Sequence, residues 1–232
     1  MKFLAKGSFG ALLLTAAMSV AAFPVNLVSV DGTFQNAFKS NGSLATGNST
    51  SLIHWGDSRS QSSYEFNGST SLPMQIDDSS IFSLGELTHT NNQVAGSTLA
   101  STDLAIALGF SGFGETGVQQ GTFIFAHDET LDNGTYKSCW WIFCRTKYDG
   151  PVDDTITQTG VSVTSSSFTL GGFEYSLELL GFDKEFTGEG DIGVYELNAR
   201  LNATALPVPE PGTIVLLGLG LAGLGMARRR KA

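Results

Sequence analysis

Between residues 23 and 206, apolar and polar side chains alternate with a period of two. Phe173, Tyr175, Leu177 and Leu179 alternate with Glu174, Ser176 and Glu178. Tyr195, Leu197, Ala199 and Leu201 alternate with Glu196, Asn198, Arg200 and Asn202. Leu104, Ile106, Leu108 and Phe110 share one face, as do Phe123 and Phe125. A pleated strand sends successive side chains to opposite faces, so this pattern dictates antiparallel strands with one buried and one wet face. Ser/Thr/Asn/Gly clusters at 40–51, 58–63, 67–71, 91–98 and 159–167 break the runs. No twelve-residue window in this region keeps a helical period. The spacing predicts eight to ten strands in an all-β, antiparallel β-sandwich of jelly-roll type.

Charge narrows the partners. Residues 23–206 carry seven Lys and Arg against 21 Asp and Glu, a balance of −14. Such a body is soluble and repels anionic polymers unless a cation intervenes. The only basic cluster lies at the very end of the chain, which argues against nucleic acid.

Both ends read as addresses. Residues 1–22 combine Lys2 and Lys6 with an apolar run from Ala11 to Val20 and small residues at Ser19, Ala21 and Ala22. This is the pattern of a signal peptide removed by signal peptidase, with a helical core too short to span a bilayer. At the other end, residues 207–232 contain Pro209-Glu210-Pro211, an apolar run from Thr213 to Ala227, and Arg228-Arg229-Arg230-Lys231. The prolines end the folded domain before them. As a helix the run 213–227 covers about 23 Å of a hydrocarbon core of about 30 Å. A short transmembrane helix held on the cytoplasmic side by Arg228, Arg229, Arg230 and Lys231 suits transient threading. This tripartite tail resembles the PEP-CTERM sorting signal of Gram-negative, exopolysaccharide-producing bacteria. The resemblance implies recognition of Pro209, Glu210 and Pro211 by an exosortase in the inner membrane. Gly218-x-Gly220-x-x-Gly223 copies the dinucleotide fingerprint only as text, because no βαβ unit surrounds it.

Candidate chemistry is sparse. Of the three histidines, His54 lies in Leu-Ile-His-Trp-Gly, His89 precedes Thr-Asn-Asn, and His127 precedes Asp128-Glu129. On a continuing strand His127 and Glu129 share a face, about 6.5–7 Å apart. A metal site can be assembled from His89, His127, Glu129 and Asp153 or Asp154. Calcium, Ca2+, is the first cation to consider, because carboxylate and carbonyl oxygens predominate. The competing reading is hydrogen-bonded structural imidazoles beside solvated acidic turns. No elbow marks a serine nucleophile, since Gly109-Phe110-Ser111-Gly112-Phe113 departs from Gly-x-Ser-x-Gly. The zinc-deaminase pattern needs Pro-Cys-x-x-Cys, whereas Cys139 and Cys144 lie five apart with no preceding proline. No carboxylate pair stands out for glycoside hydrolysis.

The two cysteines constrain their own segment. In a single strand, residues five apart lie about 16 Å apart and point to opposite faces, whereas a disulfide needs Cα atoms within about 7 Å. Export favours oxidation. A Cys139–Cys144 disulfide therefore predicts a closed loop presenting Trp140 and Trp141. Two roles stay open for these rings: stacking on sugars or a partner, or folding back over the core.

The same region resembles the choice-of-anchor K domain. The shared elements are Trp55-Gly56, Phe82-x-Leu84-Gly85-x-Leu87-Thr88-His89-x-Asn91, and Phe123-x-Phe125-x-His127-x-Glu129-Thr130. Cys139, Cys144, Asp153-Asp154, Phe168, the run from Tyr175 to Phe182, and Glu196 continue it. Eight residues separate Cys144 from the acidic pair, which in the family follows almost directly. The family implies a bacterial surface or exported protein and no particular activity. Together with the tail, it implies a non-enzymatic surface or matrix module associated with exopolysaccharide. A glycan-binding module using Trp140 and Trp141, or a secreted hydrolase, are the alternatives.

Overall fold

The computed structural model describes residues 21–57, 59–129, 135–140, 143–148, 153–163, 167–182, 184–207, 218–223 and 226. The chain is all-β. Its strands run β1 Val25–Lys39, β2 Leu52–Asp57, β3 Ser60–Gly68, β4 Met74–Ile76, β5 Ile81–Thr90, β6 Leu99–Gly112 and β7 Glu115–Asp128. They continue as β8 Thr135–Trp140, β9 Phe143–Tyr148, β10 Asp154–Val163, β11 Phe168–Leu170, β12 Phe173–Leu180, β13 Lys184–Thr187 and β14 Ile192–Ala205. That is more strands than the turn spacing predicts. The excess lies in three- and four-residue strands (β4, β11, β13), too short to show a period, and in the hairpin of β8 and β9.

Two six-stranded sheets curl against one another. One has the order β13-β10-β7-β6-β1-β4, the other β11-β12-β14-β5-β3-β2. Among the described residues all strand pairings are antiparallel. Alternation delivers the core as expected. Leu104, Ile106, Leu108 and Phe110 are buried on β6, and Leu197, Ala199 and Leu201 on β14. Rings from the two sheets meet between them, as in Phe34–Tyr64 at 6.1 Å and Phe110–Phe168 at 5.0 Å. Gly85 marks a close approach within the second sheet. Its φ is +140°, and a Cβ there would lie 2.2 Å from the Asn67 carbonyl oxygen.

The cysteine segment departs from the expected loop. Cys139 and Cys144 face each other across the β8–β9 hairpin, with Cα atoms 3.9 Å apart, and form the disulfide. A chain reversal brings residues five apart into register, which a single strand forbids. Both cysteines are exposed, and among the described residues the hairpin pairs with neither large sheet. Trp141 and the Trp140 side chain lie outside the described residues, so the two aromatic roles find no test there.

Residues 218–223 are helical, which absorbs Gly218, Gly220 and Gly223 into a helix rather than a phosphate loop. No helix among the described residues is long and apolar enough to cross a membrane. Residues 1–20, Pro209, Glu210, Pro211, Arg228, Arg229, Arg230 and Lys231 lie outside the described residues.

Candidate functional site

At one end of the interface between the sheets, the inward faces become polar. His89, next to last on β5, pairs directly with Tyr64 of β3, while Trp55 stands on the neighbouring β2. From the opposite sheet, His127 of β7 pairs with Ile156 of β10. Asp154, two residues before Ile156, shares its inward face and pairs with Thr187 of β13. Antiparallel register thus aims side chains from both sheets into one volume.

Trp55, Tyr64, His89 and His127 pack ring on ring, every pair of centroids lying 4.8–5.8 Å apart. Asp154 Oδ2 sits 3.6 Å from His127 Nε2 and 3.9 Å from His89 Nε2. Glu129 Oε2 lies 3.1 Å from His127 Nε2 and accepts the Trp55 indole N–H at 2.6 Å. The Asp154 and Glu129 side chains are only 1% and 4% exposed. Burial, then the neighbouring His127, pushes His89 down to about 2, so its imidazole is neutral at ordinary pH. Burial first, then the negative charge of Asp154, raises the Tyr64 phenol well above its ordinary value.

Hydroxyls hold the far nitrogens of both rings. His127 Nδ1 meets Tyr64 Oη at 2.5 Å, and His89 Nδ1 meets Thr187 Oγ1 at 2.8 Å. Thr187 Oγ1 in turn bonds Tyr195 Oη, which donates to the Phe186 carbonyl at 3.1 Å. Gly193 makes room for this relay, since a Cβ there would lie 2.2 Å from Tyr195 Oη and 2.6 Å from Thr187 Oγ1.

Of the five metal-ligand candidates in the sequence, three converge, His89, His127 and Asp154, and Glu129 touches His127 from the rim. Asp153 does not join them; it turns its carboxylate toward the Gly188–Asp191 turn. The pleat selects one acid of the pair, because adjacent residues face opposite ways. Glu129 follows the end of β7 and, as expected for residues two apart, reaches the same side as His127. His54 stays on β2 outside the cluster. Motif and spacing do not mark Trp55, Tyr64, Thr187 and Tyr195 as site residues. Trp55 carried a signal, standing in the shared Trp-Gly element, whereas Thr187 had none. The chemistry differs from the calcium expectation. Two imidazole nitrogens suit zinc-class metals, while calcium takes six to eight oxygens.

The outer face of the first sheet carries a different feature. Asp31, Thr33, Gln35, Gln120 and Thr122 rim a groove of about 340 Å³ floored by Ala105 and Ala107.

Fold and site define an all-β, two-sheet protein with a sealed histidine–carboxylate cluster. Beyond the body, residues 207–231 match the PEP-CTERM protein-sorting motif. The motif supports an exported protein sorted by exosortase. No curated protein matches the sequence.

Proposed function

We propose that this chain is a non-catalytic module delivered by exosortase to the surface or extracellular matrix of a Gram-negative bacterium, where it associates with exopolysaccharide. The motif at residues 207–231 carries the reading. In it, residues 1–22 direct export, 23–206 form a jelly-roll-like body of choice-of-anchor K type, and 207–232 are the sorting tail with its membrane segment at 213–227. The non-catalytic part is supported by burial. The histidine–carboxylate cluster is sealed in the core, whereas general acid–base chemistry needs groups that reach a substrate. The exposed disulfide suits an oxidising compartment. The test replaces Pro209-Glu210-Pro211 with three alanines in the host. Full-length precursor is expected to stay in the inner membrane; unchanged surface delivery overturns the reading.

A carbohydrate-binding role is the second reading, and the groove on the first sheet favours it. Its carboxylate, amide and hydroxyl side chains are the hydrogen-bonding types that a hydroxylated polymer requires. A body of −14 repels a polyanion, so this groove suits neutral stretches of polysaccharide.

A further inference from the structure

We propose that His89, His127 and Asp154 form a buried binding site for a zinc-class divalent metal, with Glu129 at its rim. The argument starts from protons. Tyr195 spends its only proton on the Phe186 carbonyl, so it accepts from Thr187. Thr187 has then used its own proton and accepts from His89 Nδ1. His89 therefore carries its proton on Nδ1, and its Nε2 presents a bare lone pair. That atom is buried and makes no hydrogen bond among the described residues. It faces Asp154 Oδ2 at 3.9 Å and shares the pocket with His127 Nε2. A bare imidazole nitrogen facing a carboxylate oxygen in a dry interior is repelled by it unless a cation sits between them.

Distances agree with that occupant. Donors bound tetrahedrally to zinc lie about 3.4 Å apart, given Zn–N and Zn–O bonds of about 2.0–2.2 Å. The two histidine-to-aspartate separations are 3.6 and 3.9 Å, so a slight contraction brings these donors to bonding distance. The surroundings also match a metal's outer partners. Each imidazole is held through its Nδ1 by a hydroxyl, Tyr64 for one ring and Thr187 for the other, which fixes orientation and leaves Nε2 for the metal. Coordination sets the His127 tautomer, placing its proton on Nδ1 toward Tyr64. Trp55 holds Glu129 at the rim, where its carboxylate can accept a hydrogen bond from a metal-bound water. Sealed beneath aromatic rings, the metal would clamp the two sheets together at this end, a structural role.

The experiment uses the full chain in detergent, stripped with EDTA and titrated with zinc by calorimetry and with cobalt by visible absorption. One equivalent of zinc, the ligand-field bands of low-symmetry cobalt, and a rise in Tm are expected. His89→Gln and Asp154→Asn should each weaken zinc binding at least tenfold, while His54→Gln leaves it unchanged. Thr187→Val, which keeps shape and removes the hydroxyl, should weaken it about 10-fold or more without unfolding the body. No stoichiometric uptake by the wild-type chain overturns the site. So does zinc binding that is equal in the wild type, His89→Gln and Thr187→Val, which would place the metal elsewhere.

Discussion

Replacing Trp55 with phenylalanine probes the buried charge at the cluster. The indole N–H donates to Glu129 Oε2 at 2.6 Å, and Trp55 is 1% exposed. Phenylalanine keeps an aromatic ring against Tyr64 and His127 and deletes that donor. A hydrogen bond to a charged group contributes about 1.5–3 kcal/mol, and its loss leaves a carboxylate short of a partner in a dry site. The smaller ring forfeits roughly 1 kcal/mol of burial. The total is about 2.5–4 kcal/mol. For a body of this size, each kcal/mol moves Tm by about 2–4 °C, so a fall of about 5–15 °C is expected. Thermal unfolding followed by circular dichroism in EDTA measures it without metal. Glu129→Gln supplies the control, because a neutral amide tolerates a missing donor better than a carboxylate does. In that background Trp55→Phe should cost about 1–2 kcal/mol less, the coupling that a double-mutant cycle isolates. Equal losses in both backgrounds would refute the charge argument and leave packing alone as the cause.

The remaining predictions concern the hairpin and the groove. Closing the short Cys139–Cys144 loop removes about 2 kcal/mol of chain entropy from the open form, yet among the described residues the hairpin pairs with neither large sheet. Reduction should therefore expose residues 135–148 to protease while the main unfolding transition moves by less than about 2 °C; a body that melts with the hairpin would show the two to be one cooperative unit. For the groove, a Gln35→Ala/Gln120→Ala variant should lose retention on the host's isolated exopolysaccharide, with its Tm unchanged. If Trp140→Ala/Trp141→Ala loses retention instead, the aromatic hairpin is the binding surface and the groove is not.

Much of the fold was legible because the pleat is local. Alternation along β6, β12 and β14 identified the buried face residue by residue, since successive side chains cannot share a side. The short strands β4, β11 and β13 escaped, because three or four residues carry no readable period. The cluster was half legible. Sequence offered His89, His127, Glu129 and an acidic pair, but it could not choose between Asp153 and Asp154. The pairing of Asp154 with Thr187 made that choice. Thr187 and Tyr195, whose hydroxyls orient His89, lie on β13 and β14; β13 is too short to show a period, and the alternation that includes Tyr195 marks a buried face, not a hydroxyl relay.

What the chain determined by itself is what neighbouring residues enforce or what another protein reads in linear form. Alternation sets strands and faces within a few residues, and the 207–231 motif acts as an address in its covalent order. Only the tertiary structure decided which residues meet. His89 and Asp154 are 65 positions apart and lie on different sheets. Their approach depends on the register of several strand pairings and on the packing of one sheet over the other. The same holds for the cysteines, where an antiparallel reversal turned an unbridgeable spacing along one strand into direct partners across a hairpin.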